Sequence, residues 1–349
     1  MRLYITTAFI TLIVLIGIIG YQQQFGLDST LPTDEEQGGL NDQIVINFSH
    51  IVAENTPKGQ TAIKFGELLE QKTDGRIRVV IYPNGMLYND NNELNALENG
   101  DVEMIAPSFS KMTNTLPTWS VLDLPYLFNT EEDVERVLTG PFGEQLLNQL
   151  GRFNIKGLAF WNNGFKQILT SGKPILASGD FKGLKVRAMP SKVLQQQFTL
   201  FQATPVATSF DELYTELEKK ELNAQENTIS NIYSKGFYKL QKNLTITNHG
   251  ILGYAVMMNE DFYNSLPTDL QEKVIEAINE ATAWNFEHSK QMNDKDLESL
   301  QLLSDVHINT LSNEEQQRWQ KLFKPIYDDY RKQISETFLE EIEKEINNN

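Results

Sequence analysis

Residues 44–83 read IVINFSHIVAENTPKGQTAIKFGELLEQKTDGRIRVVIYP, and their pattern predicts a strand, a helix and a second strand. The first seven residues alternate between apolar and polar side chains, as a half-buried strand does. The middle carries Ala62, Phe65 and Leu69 at helical spacing, and Gly75 lies just past the point where this spacing ends. The last eight residues are again mostly apolar. A strand–helix–strand unit of this kind indicates an α/β fold.

The same alternation continues along the chain. Further strands are predicted in residues 101–107, 183–190, 203–208 and 249–259, and helices in residues 91–100, 191–201, 209–221, 266–301 and 311–346, the last of them broken near Pro325. Residues 155–170 are predicted as two strands broken at Asn162, Asn163 and Gly164. This order predicts a doubly wound sheet flanked by helices, in which ligands bind beyond the carboxyl ends of strands.

The composition excludes several classes of protein. The chain has 349 residues, enough for two domains, and its 40% hydrophobic content can build a core. Lys and Arg total 30 against 47 Asp and Glu, so the net charge of −17 disfavours binding to nucleic acid. Cysteine is absent, which rules out thiol catalysis, disulfides and a lipid-modified N-terminal cysteine.

The N-terminus is predicted to direct export. Residues 1–21 place Arg2 before an apolar run that is short for a membrane span, and no clear A-x-A cleavage site follows. A cleaved signal peptide and a retained membrane anchor both remain open. Residues 22–42 are polar, contain Pro32 and paired glycines, and are predicted to form a tether.

One cation stands out in the strand predicted at residues 183–190, GLKVRAMP. Arg187 follows apolar residues of a segment that has the pattern of a buried strand, and a guanidinium does not neutralise itself by losing a proton. Its planar fork matches a carboxylate with two parallel hydrogen bonds. The residue types alone leave two partners open, a ligand carboxylate and a structural ion pair.

Arg187 also lies in a region of one charge sign. Between residues 145 and 210 Asp180 is the only acid, whereas the bases are Arg152, Lys156, Lys166, Lys173, Lys182, Lys185, Arg187 and Lys192. A cationic region inside an acidic molecule can attract an anion locally. Most of these lysines are expected to be solvated, so only the buried bases indicate a site for an anion.

Signatures of catalysis, metals and nucleotides are missing. Ser108 and Lys111 form an SxxK pair, but the accompanying SDN and KTG elements are absent. The histidines show no metal-ligand spacing, and the run from Asp90 to Glu93 lacks the glycine and closing glutamate of a calcium loop. Neither GxGxxG nor GxxxxGK[ST] occurs. We therefore expect ligand binding with no metal, no cofactor and no enzymatic activity.

Several segments together resemble the solute-binding proteins of TRAP transporters, and within that family the DctP type that delivers four-carbon dicarboxylates. They are NFSHIVAENTPKGQ, GRIRVVIYPNGMLYND, DLPYLF, GLKVRAMPSKVLQQQF and NAQENTISNIYSKGFYKLQK, in the family's order and spacing between about residues 44 and 330. The resemblance implies the two-lobe fold of periplasmic binding proteins, with mixed sheets flanked by helices and long helices near the C-terminus. The lobes of such receptors close on the ligand.

The resemblance also implies which residues hold the ligand. The arginine of the family's GLKxR strand contacts the ligand carboxylate and matches Arg187, and the asparagine of the GQEN motif matches Asn227, although Ala224 replaces the usual glycine. The family's second cation, in the pattern NGxRQ, matches Lys166 in NGFKQ. A lysine there is consistent with a second carboxylate, whereas the alternative is an exposed strand lysine.

Further candidates are less specific. Phe210 matches a family position that packs near the ligand, and four residues are candidate donors to a carboxylate: Ser108, Lys111, Trp161 and Asn163. Asp90 matches an acidic position that lies at the site of sialic acid receptors. An acid there would repel a dicarboxylate, so Asp90 is left outside the predicted site.

The expected organisation follows from the resemblance. Lobe 1 comprises residues 43–164 with about 250–292, and lobe 2 comprises residues 165–249 with about 293–349, including an inter-lobe helix. We expect malate, succinate or fumarate as ligand and the small and large TRAP integral membrane subunits as partners. We also expect a monomer and a periplasmic location, with a tether to the inner membrane if the N-terminal segment is retained.

Two alternatives stay open from the sequence. The first is a receptor for another organic acid, such as a keto, sugar or aromatic acid, and an indifferent Lys166 would favour it. The second is a ligand-binding partner of a sensor kinase, or an enzyme. Binding to a kinase or turnover of a bound acid would distinguish this second alternative from a transport receptor.

Overall fold

The computed structural model describes residues 43–347. The signal peptide or anchor predicted for residues 1–21 and the tether predicted for residues 22–42 lie outside this range. Within it, no helix combines the length and the apolar composition that a membrane crossing requires.

Strands and helices alternate along residues 43–347, as the sequence predicts. The strands are β1 (Ile44–Ser49), β2 (Ile77–Tyr82), β3 (Met104–Ile105), β4 (Ile155–Thr170), β5 (Lys185–Ala188), β6 (Thr204–Ala207), β7 (Ala224–Thr228), β8 (Asn243–Ile246), β9 (Ile251–Asn259) and β10 (His307–Thr310). The α-helices are α1 (Pro57–Lys72), α2 (Glu93–Asn99), α3 (Phe109–Met112), α4 (Glu131–Thr139), α5 (Pro141–Leu147), α6 (Lys192–Leu200), α7 (Phe210–Glu218), α8 (Ile229–Ser234), α9 (Glu260–Ser265), α10 (Thr268–Gln301), α11 (Asn313–Leu322), α12 (Lys324–Tyr330) and α13 (Glu336–Asn347). The break predicted near Pro325 is confirmed by the boundary between α11 and α12.

The first helix shows why these segments fold locally. Thr56 caps α1, because its side-chain oxygen accepts a hydrogen bond from the N–H of Gly59 over 3.2 Å. Pro57 occupies the first turn, where its missing N–H leaves no donor unpaired. The apolar stripe of α1, including Phe65 and Leu69, is fully buried in the core.

The strands form a mixed sheet. Its order is β2-β1-β3-β9-β4-β7-β5-β6, with β8 pairing β4 and β10 pairing β8. The pairs β1–β2, β1–β3, β5–β6 and β5–β7 are parallel, whereas β4 and β9 run antiparallel to each other. The antiparallel strands β9 and β4 therefore lie between two groups of parallel strands, β2-β1-β3 and β7-β5-β6.

Strand β4 joins two halves of this sheet. Residues 155–165 pair with β9, and residues 166–170 pair with β7 and β8. We call β1–β3, β9 and residues 155–165 the first half, and residues 166–170 with β5–β8 and β10 the second half. The prediction that two lobes close about this boundary stays a prediction.

The prediction of two strands broken at Asn162, Asn163 and Gly164 was wrong, because β4 is continuous from Ile155 to Thr170. The pairing with β9 shifts register between Asn162 and Gly164, and Gly164 has φ +111. A bulge therefore accommodates the residues that suggested a turn. Helix α10 holds the bulge, since Nδ2 of Asn293 donates to the carbonyl oxygen of Asn163 over 2.8 Å.

Candidate functional site

A cavity, here called the central cavity, is lined by residues from both halves of the sheet. Its lining residues are Ile51, Val52, Asp90, Ser108, Lys111, Lys166, Arg187, Met189, Phe210, Glu226, Asn227, Asn231, Leu252 and Tyr254. Converging polar and charged side chains beside apolar ones are typical of a site for a small polar molecule.

Arg187 reaches the cavity from β5, a strand between β6 and β7. Its side chain is 3% exposed, and Nε donates to the carbonyl oxygen of Thr208 over 3.1 Å. No carboxylate of residues 43–347 lies within 4.0 Å of its guanidinium nitrogens. Burial lowers the pKa of Arg187, while Asp90 and Glu226 act in the opposite direction. Arg187 is thus a buried cation without a carboxylate partner among the described residues.

Lys166 is buried and paired. It is 1% exposed, and its Nζ lies 3.0 Å from Oε2 of Glu226. On the antiparallel pair β4–β7, Lys166 is opposite Thr228 and Glu226 is opposite Ile168, so the two charged residues are diagonal neighbours on one face. The structure therefore excludes the reading of Lys166 as an exposed strand lysine.

Glu226 has a second partner in His249. Nε2 of His249 lies 3.1 Å from the same Oε2, and Nδ1 lies 2.7 Å from Oγ1 of Thr247. A carboxylate only accepts, so Nε2–H donates to Glu226 and Nδ1 accepts from the threonine hydroxyl. Burial alone would raise the pKa of Glu226, but Lys166 and the His249 hydrogen bond outweigh burial and lower this pKa to about 2. Glu226 is accordingly ionised.

Asp90 lines the cavity and is paired with Lys111. Nζ of Lys111 lies 2.8 Å from Oδ1 of Asp90, while Oδ2 of Asp90 accepts the N–H of Phe210 over 3.1 Å. Phe210 is the first residue of α7, and its ring packs edge-on against Phe237 at 5.9 Å between centroids. Asp90, which the sequence analysis left outside the predicted site, therefore borders the cavity, and Lys111 compensates its charge.

Asn227 is held by neighbouring amides. Its Nδ2 donates to Oε1 of Gln225 over 3.2 Å, and its Oδ1 accepts from Nδ2 of Asn231 over 3.0 Å. Gln225 in turn donates to Oε1 of Gln241 over 2.9 Å. Because Oδ1 is occupied by a donor, the Asn227 amide presents a free N–H rather than a free oxygen, which suits an anion.

The structure places Trp161 and Asn163 outside the lining of the central cavity. Nε1 of Trp161 donates to Oγ1 of Thr282 on α10 over 3.0 Å. Nδ2 of Asn163 donates to Oγ1 of Thr228 over 2.7 Å. The other six predicted residues, Arg187, Asn227, Lys166, Phe210, Ser108 and Lys111, all line it.

Charge balance suits the cavity to an anion. Its lining carries three cations, Lys111, Lys166 and Arg187, against the two carboxylates Asp90 and Glu226. Both carboxylates have lysine partners, so the unpaired positive charge is that of Arg187. Exclusion of water strengthens an ion pair formed there.

Sequence reasoning missed Glu226 and Tyr254. Glu226 stands beside Asn227 in the AQEN run, so a carboxylate next to a predicted ligand-binding residue could have indicated it. Tyr254 lies in the apolar strand β9, where one aromatic side chain among many shows nothing of the cavity it faces.

Comparison with known proteins identifies a family and several relatives of this chain. Residues 48–333 match the family model described as bacterial extracellular solute-binding protein, family 7. The chain is 44% identical to the C4-dicarboxylate-binding protein DctB of Bacillus subtilis, over 93% of this chain and 92% of that protein. It is 38% identical to the C4-dicarboxylate-binding periplasmic protein DctP of Rhodobacter capsulatus, over 84% of this chain and 89% of that protein.

A solved structure shares the fold. A TRAP periplasmic solute-binding protein of Shewanella oneidensis, crystallised with bound succinate, superposes with a TM-score of 0.84. The two sequences are 39% identical, and the match covers 87% of this chain and 99% of the other. The mixed α/β architecture described above is therefore the one found in that protein.

Proposed function

Because this chain belongs to bacterial extracellular solute-binding protein family 7, we propose that it captures succinate, malate or fumarate outside the cytoplasm and delivers it to TRAP membrane subunits. Members of this family are receptors for small carboxylates, so the chain is a receptor and not an enzyme. The observation that carries the proposal is the buried guanidinium of Arg187, which faces the central cavity without a carboxylate partner among the described residues.

The six predicted residues that line the cavity each have a part in this proposal. Arg187 binds one ligand carboxylate through two parallel hydrogen bonds, and Lys166 extends its ammonium to the second carboxylate while staying paired with Glu226. Asn227, Ser108 and Lys111 donate hydrogen bonds, and Phe210 forms an apolar wall. Trp161 and Asn163 support β4 rather than touch the ligand.

Closure about β4 completes the proposed mechanism. Residues 43–164 with about 250–292 move as lobe 1 against residues 165–249 with about 293–349 as lobe 2, and closing removes water from the ligand. We further propose that the receptor is a monomer, and that residues 1–21 either serve as a cleaved signal peptide or tether it to the inner membrane.

Thermal unfolding of the purified protein with a panel of acids tests the proposal. A ligand that binds only the folded state raises the melting temperature by mass action. Succinate, malate and fumarate should each raise it, whereas butyrate, pyruvate, gluconate and benzoate should not. A rise with the monocarboxylates alone would contradict the dicarboxylate assignment.

A second candidate is a receptor for a monocarboxylate, and the pairing of Lys166 with Glu226 favours it. If that pair stays closed, one unpaired cation is available for one carboxylate. Affinity for the preferred acid that is unchanged in Lys166→Met would support this second candidate and oppose the first.

A further inference from the structure

Lys58, in the first turn of α1, is buried behind the central cavity. Its side chain is 0% exposed, and Nζ donates to the carbonyl oxygen of Ala106 over 2.8 Å. No carboxylate oxygen in residues 43–347 lies within 4.0 Å of this nitrogen. An ammonium carries three donors and is unfavourable in an apolar interior unless its charge is compensated. The buried ammonium of Lys58 therefore needs a nearby anion or polarisable group that compensates its charge.

Tyr254 supplies the polarisable group. Nζ of Lys58 lies 3.7 Å from the centroid of the Tyr254 ring, within the range of a cation–π contact. Tyr254 is 2% exposed and lines the central cavity. The residue whose ring Lys58 contacts therefore also borders the space in which the ligand is proposed to bind.

Several charged groups act on Lys58. Burial lowers the pKa of Lys58 to about 7, while Glu93 and Asp90 act in the opposite direction, and Lys111 and, more weakly, Asp211 also contribute. Glu93 is buried, and neither of its carboxylate oxygens has a hydrogen-bond partner among the described residues. Burial raises the pKa of Glu93 to about 8. His50, buried nearby, is kept neutral by burial and by the Lys58 charge, which lower its pKa to about 3.

We propose that Lys58 is a supporting cation of the ligand site, acting through the Tyr254 ring to strengthen the binding of a dianion. This inference rests on the proposed function. A charge behind an aromatic ring attracts an anion on the other side because the low-dielectric interior transmits its field. The bound dianion in turn favours the ammonium form of Lys58, so binding takes up protons from solution at a pH where the free protein is partly deprotonated.

Isothermal titration calorimetry with succinate at pH 8, in HEPES and in Tris, measures both affinity and proton uptake. The variants are Lys58→Met, which keeps a long side chain without charge, and Lys64→Met, a matched control on the same helix whose side chain is half-buried outside the cavity. We expect Lys58→Met to raise the Kd of succinate about tenfold and to remove the proton uptake. Lys64→Met should change neither.

The outcomes separate this inference from the proposed function. A wild-type protein that binds no dicarboxylate contradicts the proposed function. A wild-type protein that binds succinate, with Lys58→Met equal to it in Kd and in proton uptake, overturns the role of Lys58. If Lys58→Met does not fold, the wild-type protein and Glu93→Gln decide. Proton uptake should persist without the Glu93 carboxyl, and its absence from either protein overturns the inference.

Discussion

The backbone N–H of Asp90 donates a 2.8 Å hydrogen bond to Oδ2 of Asp211, in the turn that begins α7. The neighbouring N–H of Phe210 donates back to Oδ2 of Asp90 over 3.1 Å. Two bonds of opposite direction thus tie the segment after β2, in the first half of the sheet, to α7 in the second half. They stabilise the arrangement in which both halves line the cavity.

We expect Asp211→Ala to raise the Kd of the bound acid about threefold to tenfold, because a typical hydrogen bond contributes roughly 1 kcal/mol. Asp211 is exposed and does not line the cavity, so the increase should be similar for every ligand. Calorimetric titration measures it. Asp211→Asn keeps an oxygen acceptor and should bind as the wild type does. An unchanged Kd in Asp211→Ala would show that this bond does not influence binding.

Arg187 should dominate affinity. Its replacement by alanine leaves a ligand carboxylate unpaired in a water-excluded site, so we expect affinity to fall a hundredfold or more. Arg187→Lys should recover only part of the loss, since an ammonium does not reproduce the bidentate fork. Lys185→Ala, an exposed position on the same strand, is the matched control. A loss of less than tenfold in Arg187→Ala would place the ligand carboxylate elsewhere.

Lys166→Met should destabilise the ligand-free protein. It leaves the buried Glu226 carboxylate with His249 as its remaining partner, and breaking a buried pair from one side lowers the free energy of unfolding by about 3 kcal/mol. Urea unfolding without ligand measures this change. The double variant Lys166→Met with Glu226→Gln removes both charges and should recover most of the stability. Equal losses in the single and double variants would contradict the pairing.

His50 should make the protein acid-sensitive. Burial, assisted by Lys58, lowers the folded-state pKa of His50 to about 3 from the ordinary 6.5. The unfolded chain therefore binds a proton that the folded chain rejects, and stability present above pH 6.5 is lost as pH falls from 6.5 towards 3. Lowering the pH from 6.5 to 4.5 should therefore reduce the free energy of unfolding by about 2 to 3 kcal/mol through His50.

Urea unfolding at those two pH values checks the effect by difference. His50→Gln should lose less stability between pH 6.5 and pH 4.5 than the wild type, whereas His307→Gln, at an exposed position, should match the wild type. If both variants follow the wild type across this range, the acid sensitivity has another origin.

Gly164 is required at the bulge of β4. Its φ is +111, and a Cβ there would lie 2.8 Å from Nδ2 of Asn293. We expect Gly164→Ala to lower the free energy of unfolding by about 1 to 3 kcal/mol. Gly172→Ala is the control, since a Cβ at Gly172 meets no atom within 4 Å. Two alanine variants of equal stability would show that the bulge tolerates a side chain.

Secondary structure could be predicted where the apolar residues of a segment follow a single clear pattern. The helical spacing of α1 and the apolar run of β9 are local, so the strand and helix order followed from the residues. The continuity of β4 could not be predicted, because asparagines and a glycine are typical of both a turn and a bulge. Here pairing with β9 and hydrogen bonds between β4 and α10 decide between them.

The cations of the candidate site could be predicted from the sequence, but their partners could not. Arg187 and Lys166 stand out as charges in apolar strands, and both line the cavity. The pairing of Lys166 with Glu226 depends on the register between β4 and β7, and the pairing of Asp90 with Lys111 joins segments from different parts of the first half. Such contacts arise from tertiary packing, which single residues do not encode.

The shared strand β4 also limits how this protein can be taken apart. A cut after residue 165 would separate residues 155–165 from β9, which lies beyond residue 250, and would leave residues 166–170 at the start of the other fragment. Each fragment would then expose unpaired strand edges. Neither half is a separable module, so truncation to a minimal binder, or exchange of one half between relatives, would have to carry the whole strand and its partners together.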